Sequence, residues 1–379
     1  MRFFLNTNFI IERNACIKIN EYIKDNIGNV ENPGLIYDKV LNGQGYFEDI
    51  LLKIKKSFPS IEIKINEKEG EPTYQYLNEL SNYFRNKNID SIIAIGGGST
   101  MDLGKGIAFL MTNKGNALEY KGFPENVNDP VPLITCPSLF GSGADVSYNA
   151  VFIDESEGRK LGINSTKNFP NLSILDAELT MKAPESAIIS SSMDTLVHCV
   201  DSFGSPKSSP MSRMYSVKGF RNTFEVLKKS NHMDIEYREK LALGSICGIT
   251  ALMNSGDGPT NGFAYYLGVK YNVPHGLAGA IFLKEVMKYN VQEMQYDGYS
   301  FYRTDESSIS SSHDLISDLE KMYYSLDIPN LVSFGFTEYD MEKFIDGSMN
   351  ALAGSFAGNP VDFGREAVEY VYKNLIKEK

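Results

Sequence analysis

Ser91-Ile-Ile-Ala-Ile-Gly-Gly-Gly-Ser-Thr-Met-Asp-Leu-Gly-Lys105 is the stretch that decides the fold. Ile92 to Ile95 is a short apolar run of the kind that forms a buried parallel strand. Three glycines follow at once, and Met101, Ile107, Ala108 and Leu110 then repeat with helical spacing. The reading is strand, glycine turn, helix N-terminus. Glycines without Cβ let a phosphate approach the backbone, and the free N–H groups of a helix start attract the anion. The spacing matches neither Gly-x-Gly-x-x-Gly, which needs a glycine at Met101, nor a P-loop, which needs Gly-Lys-Ser/Thr. A purely structural turn is the competing reading.

Outward from this stretch, the first part of the chain alternates strand and helix. Phe3 to Ile11 predicts a strand or hairpin, Cys16 to Ile27 a helix, and Gly34 to Asp38 a strand. Tyr46 to Ser57 is amphipathic, Ile61 to Ile65 alternates as a strand, and Thr73 to Lys87 is helical. Val131 to Pro137 is a strand stopped by proline, residues 151–154 and 159–165 form a hairpin, and Leu172 to Asp176 is a further strand. Such alternation predicts an α/β domain on a parallel sheet, with ligands at the carboxyl ends of its strands. Asp38 lies at one such end. A carboxylate there bonds both hydroxyls of an adenosine ribose and repels a 2′-phosphate, so it favours NAD over NADP; a simple turn or capping acid is the alternative. From Ala177 onward helical periodicity takes over. The expected domains are residues 1–176, α/β and dinucleotide-binding, and residues 177–379, all-α and carrying metal and substrate.

The chain has 379 residues, 42% hydrophobic and 22% charged, enough for two cores. A net charge of −11 argues against nucleic acid as partner. No apolar run reaches the roughly 18 residues of a membrane span, and the start of the sequence lacks a signal-peptide layout. Cys16, Cys136, Cys199 and Cys247 are scattered singly, as buried reduced thiols would be. The expectation is a cytoplasmic protein without nucleic-acid or membrane partners.

In the helical part, Ser192-Met-Asp-Thr-Leu-Val-His-Cys-Val-Asp-Ser-Phe203 sets Asp194 and His198 four residues apart, on one helix face. A carboxylate and an imidazole so placed can share a divalent cation, or simply hydrogen-bond each other. Among the remaining histidines, His232 and His313 lie in polar segments that read as solvated loops. His275, in Tyr271-Asn-Val-Pro-His-Gly276, is fixed by its neighbours at a turn entering a helix and is the candidate third ligand.

These motifs, in this order, resemble the iron-containing (metal-dependent, group III) alcohol dehydrogenase family. Gly96 to Lys105 is similar to that family's Gly-Gly-Gly-Ser-x-x-Asp-x-x-Lys, and Pro137-Ser-Leu-Phe-Gly-Ser-Gly-Ala-Asp-Val146 to its Pro-Thr-Thr-x-Gly-Thr-Gly-Ser-Glu-Val. Met193 to His198 resembles Met-Asp-Ala-x-x-His, residues 271–276 resemble Tyr-x-x-Pro-His-Gly, and Gly358-Asn-Pro360 has a counterpart. The resemblance implies a dehydroquinate synthase-like architecture, NAD (NADP as the alternative) and a divalent metal, Fe²⁺ or Zn²⁺. It implies a homodimer and hydride transfer between an alcohol or aldehyde and a nicotinamide. It implies cofactor contacts at Asp38, Gly97, Gly98, Ser99, Asp102, Ser138 and Lys160, and metal ligands at Asp194, His198 and His275.

One departure stands out. The family's helix reads His-x-x-x-His-Pro-Leu-Gly, where this chain has Asn261-Gly-Phe-Ala-Tyr-Tyr-Leu-Gly268. Asn261 therefore stands at the fourth metal-ligand position, and Tyr265 stands where a second histidine would serve proton transfer. An amide oxygen is harder and weaker than imidazole, so a weakly held metal, a water in the gap or no metal are the alternatives. Tyr265 and His275 are the candidate catalytic residues. Short matches around Lys160 and His198 resemble a branch that includes 3-deoxy-octulosonate 8-oxidase, which points to a polyol or sugar-derived substrate. The alternatives are a nucleotide-binding homologue that has lost catalysis, and a lyase or glycerol-phosphate dehydrogenase relative.

Overall fold

The computed structural model describes residues 3–229, 234–303, 311–351 and 353–377. It divides into two compact units. The first comprises Leu5–Pro184 and Met233–Ala242; the second comprises Met1–Phe4, Glu185–His232 and Leu243–Lys379.

In the first unit the chain runs β1 (Asn8–Ile11), α1 (Ile19–Asn26), β2 (Pro33–Asp38), α2 (Gly45–Ser57), β3 (Glu62–Asn66) and α3 (Tyr74–Arg85). It continues through β4 (Ser91–Gly96), α4 (Gly98–Thr112) and β5 (Leu133–Pro137). Four two-residue strands follow, β6 (Asn149–Ala150), β7 (Ile153–Asp154), β8 (Arg159–Lys160) and β9 (Ile163–Asn164), then β10 (Leu172–Leu175) and α5 (Ala177–Thr180). The main sheet has the order β1-β10-β5-β4-β2-β3, and every pairing in it is parallel. The continuous apolar runs explain this: β2, β4 and β5 are buried along their lengths, so both faces need cover. The residues 151–165 hairpin is present, with β7 on β8 and β6 on β9, both antiparallel.

Strand order fixes where a ligand can sit. The chain leaves β2 for β3 on one side and returns to β4 on the other, so the direction of winding reverses between β2 and β4. Their carboxyl ends, Asp38 and Gly96, flank that reversal, the usual crevice in doubly wound sheets.

The second unit is helical: α6 (Glu185–Gly204), α7 (Pro210–Leu227), α8 (Ile235–Met253, whose first residues count with the first unit), α9 (Pro259–Tyr271) and α10 (His275–Lys288). Then come α11 (Ser312–Ser325), α12 (Met341–Ala351), α13 (Ala353–Phe356) and α14 (Arg365–Lys377). Local signals set the helix starts. Ser209 caps α7 with Pro210 in its first turn, and Ser311 caps α11 reciprocally with Asp314. His313 thus lies in the first turn of α11 and is exposed, whereas its polar neighbours predict a loop. Those neighbours are the cap. His232 lies outside the described residues. One core gathers Met193, Leu196 and Val200 of α6 with Phe220 and Leu283; another stacks Phe263, Phe282 and Phe344. No helix among the described residues is long and apolar enough to cross a membrane.

Candidate functional site

In the first unit, Gly97 caps α4 and Gly98 opens it, so the glycine turn does run from strand end to helix N-terminus. Each glycine has its own reason. Gly96 has φ +156°, and a Cβ there would lie 2.8 Å from Asp38 Cβ and 2.9 Å from Thr100 Cβ. A Cβ on Gly98 would stand 3.0 Å from Ser142 Oγ. Gly104 packs the helix on the sheet, where a Cβ would meet Ala94 Cβ at 2.6 Å. Gly97 keeps an open face, with only Asp38 Oδ2 at 4.0 Å.

Asp38 ends β2 beside this turn. Its carboxylate accepts the Val40 N–H (3.3 Å). Burial pushes its carboxyl above the usual range, opposed by the backbone N–H groups of Val40 and Gly97. The polar lining continues with Ser138, which is buried and whose N–H donates to Gly96 O (2.8 Å). Ser99 turns its hydroxyl to Gly70 O (3.0 Å).

Two of the expected cofactor residues are already engaged. Asp102 sits 2.8 Å from the buried Lys105 ammonium, one turn on in α4, and burial raises its carboxyl. Lys160 on β8 is buried, with its Nζ 2.7 Å from Glu71. The first pairing follows from three-residue spacing on a helix; the second has no local signal, since Glu71 and Lys160 are 89 residues apart. Ser142 was also not singled out, although the Gly-Ser-Gly it sits in marks a loop for close approach.

The second unit brings Asp194, His198 and His275 together. Asp194 Oδ1 lies 3.6 Å from His198 Nε2 and 4.0 Å from His275 Nε2. The first contact follows from four-residue spacing on α6. The second depends on the turn between α9 and α10. Asn272 takes a left-handed conformation (φ 54°) and ends α9, and Pro274 precedes His275, the first residue of α10. Gly276 then lets α10 approach α6, since a Cβ there would meet Ser190 O at 2.0 Å and Asp194 Cβ at 3.0 Å.

Asn261 is on α9, buried at 6% exposure, and its Oδ1 has no hydrogen-bond partner among the described residues. Leaving such an acceptor unpaired costs about 1–3 kcal/mol. Its backbone N–H donates to Asp201 Oδ2 (3.0 Å), as does that of Gly258 (3.1 Å). Asp201 thus holds the first turn of α9, and burial pushes its carboxyl up to about 7 against the pull of those N–H groups. One turn along, on the same face, the Tyr265 ring meets the His275 ring edge-on with centroids 5.3 Å apart.

Do these residues suit a divalent cation? A tetrahedral ion with bonds of about 2.1 Å wants its donors ~3.4 Å apart, and it can bridge at most ~4.2 Å. Gaps of 3.6 and 4.0 Å lie inside that limit but wider than the optimum. Accordingly, among the described residues no three His, Cys, Asp or Glu groups stand closed into a metal shell. With the orphan Asn261 oxygen, the donor chemistry is two imidazoles, a carboxylate and an amide oxygen, which fits Fe²⁺, Zn²⁺ or Mn²⁺.

Comparison with known proteins adds the family. Residues 6–177 match a model of iron-containing alcohol dehydrogenase, and residues 188–376 match the C-terminal model of the Fe-containing alcohol dehydrogenase family. Alcohol dehydrogenase 4 of Schizosaccharomyces pombe is 28% identical over 318 residues, which cover 81% of this chain and 74% of that protein. 4-Hydroxybutyrate dehydrogenase of Clostridium kluyveri is 27% identical over 319 residues, covering 81% and 84%. A solved 1,3-propanediol oxidoreductase superposes with a TM-score of 0.88 at 22% identity, over 99% of each chain. Sulfoacetaldehyde reductase from Bifidobacterium kashiwanohense, in complex with NAD+, superposes with a TM-score of 0.88 at 18% identity, over 100% of this chain and 99% of that one. These superpositions show a shared fold.

Proposed function

Because the chain belongs to the iron-containing alcohol dehydrogenase family, and is an oxidoreductase of the alcohol dehydrogenase type, we propose that it interconverts a small hydroxylated alcohol and its aldehyde with NAD. The approach of His198 and His275 to within 4.0 Å of the Asp194 carboxylate supports this reading, because two imidazoles and a carboxylate so placed are the donor types a divalent cation takes.

In this reading Gly97 and Gly98 admit the diphosphate to the N-terminus of α4, where unpaired N–H groups receive it. Ser99 and Ser138 border that turn, and Asp102 and Lys160, each held by its own ion pair, are the further cofactor contacts of this reading. Asp38 accepts the adenosine ribose hydroxyls and disfavours a 2′-phosphate, so NAD is preferred to NADP. Asp194, His198, His275 and the Asn261 oxygen would hold a divalent cation, iron by family and Zn²⁺ as substitute. When bound, the cation supplies a Lewis acid that lowers the alcohol's pKa and, in the reverse direction, polarises the carbonyl. Tyr265 stands against His275, and its phenol is the proposed proton-transfer group. An asparagine in place of a neutral histidine leaves the formal charge of the donor set unchanged, so looser metal retention is expected rather than a new reaction.

The substrates named for the relatives, 4-hydroxybutyrate and 1,3-propanediol, support a short chain with a terminal hydroxyl. Sugar-derived polyols and acids belong in the same panel. The test is NADH appearance across that panel, with chelated protein and after adding Fe²⁺ or Zn²⁺. Turnover restored by the cation is expected. NAD binding without turnover under any cation would replace this reading with a non-catalytic nucleotide-binding protein.

A further inference from the structure

The exchange of histidine for asparagine raises a problem of orientation. An imidazole offers nitrogen from either side of its ring, whereas an amide offers an oxygen on one arm and N–H groups on the other. Rotated by half a turn, Asn261 would present hydrogens to a cation. The structure holds the amide in one sense. Asn261 Nδ2 donates to Asp257 Oδ2 (3.3 Å), and Ser355 Oγ donates to the same oxygen (2.9 Å). An ionised carboxylate only accepts hydrogen bonds, so the arm facing Asp257 must be the nitrogen. Oδ1 is thereby turned the other way, where it is buried and without a partner among the described residues.

The Gly358-Asn-Pro360 segment supports this arrangement. A Cβ on residue 358 would fall 1.9 Å from Asp257 O, so only glycine lets this segment lie against Asp257. Asn359 is bound to Asn290 by a reciprocal amide pair (2.9 and 2.8 Å). Pro360 packs where a Cβ on Gly204 would meet its Cδ at 2.8 Å. Ser355, three residues upstream of Gly358 and buried, is seated on the Asp257 carboxylate by this anchoring.

We propose that Asp257 and Ser355 are positioning residues that lock the Asn261 amide with its oxygen toward the cation, and so allow an asparagine to serve where a histidine is usual. This rests on the metal reading above and adds how its weakest donor is held. Supporting partners of metal ligands are typically worth about 10- to 100-fold in affinity.

The experiment measures the Zn²⁺ dissociation constant of the full chain by competition with a chromophoric chelator, with circular dichroism confirming that each variant is folded. Asp257→Asn can turn its own amide either way and no longer dictates the orientation of Asn261. It should weaken Zn²⁺ by about 10-fold or more, and Ser355→Ala by a few-fold. Removing the charge of Asp257 also weakens a cation directly, so the same change is made on Asn261→Ala. With no amide left to orient, Asp257→Asn should then alter affinity by less than about 3-fold. An equal loss in both backgrounds would make the effect one of charge or direct ligation and overturn the proposal, as would unchanged affinity in Asp257→Asn alone. Wild-type protein that takes up no Zn²⁺ would remove the metal reading itself, and the proposal with it.

Discussion

Gly276→Ala is the substitution whose consequence follows most directly from the packing of α10 on α6. The added methyl would lie 2.0 Å from Ser190 O and 3.0 Å from Asp194 Cβ, about 1.4 Å short of ordinary contact at the closer point. Both obstacles belong to α6. Neither is the end of a flexible side chain, so relief must come from parting α10 and α6. His275 immediately precedes Gly276 and moves with it. The 4.0 Å gap from Asp194 Oδ1 to His275 Nε2 then opens beyond 5 Å if most of the missing distance is taken there. A cation bridging two donors spans at most about 4.2 Å, so one ligand is lost. We expect Zn²⁺ affinity to fall by at least about 100-fold, the upper end of what displaced supporting groups cost, and stability to fall by about 1–3 kcal/mol from overpacking. Chelator competition measures the first and urea unfolding the second. Gly364→Ala is the control, since a Cβ there meets nothing within 4 Å. A folded Gly276→Ala protein that keeps Zn²⁺ within about threefold of wild type would refute the reasoning, because it would mean that His275 is not held as a ligand by this helix contact.

Asp38→Ala should raise the dissociation constant for NAD by about 10- to 100-fold, the worth of hydrogen bonds to a charged group, and narrow the preference over NADP; fluorescence titration with both nucleotides decides this. Phe263→Ala removes a fully buried ring stacked on Phe282 at 4.5 Å and edge-on to Phe356 at 5.2 Å, and should cost about 3–5 kcal/mol in urea unfolding. Asp154 is held down to about 2 by the Lys121 ammonium at 2.7 Å and the Ser156 hydroxyl. A carboxyl lowered on folding stabilises the protein above its unfolded value near 4, and that contribution is lost as pH falls through about 2. Asp154→Asn should therefore cost about 1–2 kcal/mol at neutral pH, discounted for the partial exposure of Lys121, and nothing near pH 2; acid titration of both proteins followed by circular dichroism shows whether the two curves converge.

What was legible in the sequence is what depends on near neighbours. The apolar runs of β2, β4 and β5, bounded by Asp38, Gly96 and Pro137, announce a parallel sheet because only strands covered on both faces lack polar alternation. Asp194 and His198 announce a shared helix face by their spacing, and Asn-Val-Pro-His a helix restart. The third unit of information, which side chains meet across the fold, has no such local mark. Ser355 reaches Asp257 over 98 residues and Lys160 reaches Glu71 over 89. The orphan oxygen of Asn261 depends on both its burial and its neighbour Asp257, and sequence shows only the adjacency. His313 was misplaced for a different reason. A cap is made of the same small polar residues as a loop, and only Ser311 bonding reciprocally to Asp314 tells them apart.

The allocation of chain to the two units has a practical consequence for anyone dividing the gene. Phe4 belongs with the helical unit, where its N–H and carbonyl both bind the Asn254 amide (2.9 and 3.0 Å) and Phe3 stacks on Tyr215. Arg13 belongs with the α/β unit, as does the Glu239 to which it is paired. A single cut near residue 184 would therefore strip each half of a piece that the other fragment carries. Fragment complementation, rather than isolated expression, is the format in which the halves of this chain should be handled.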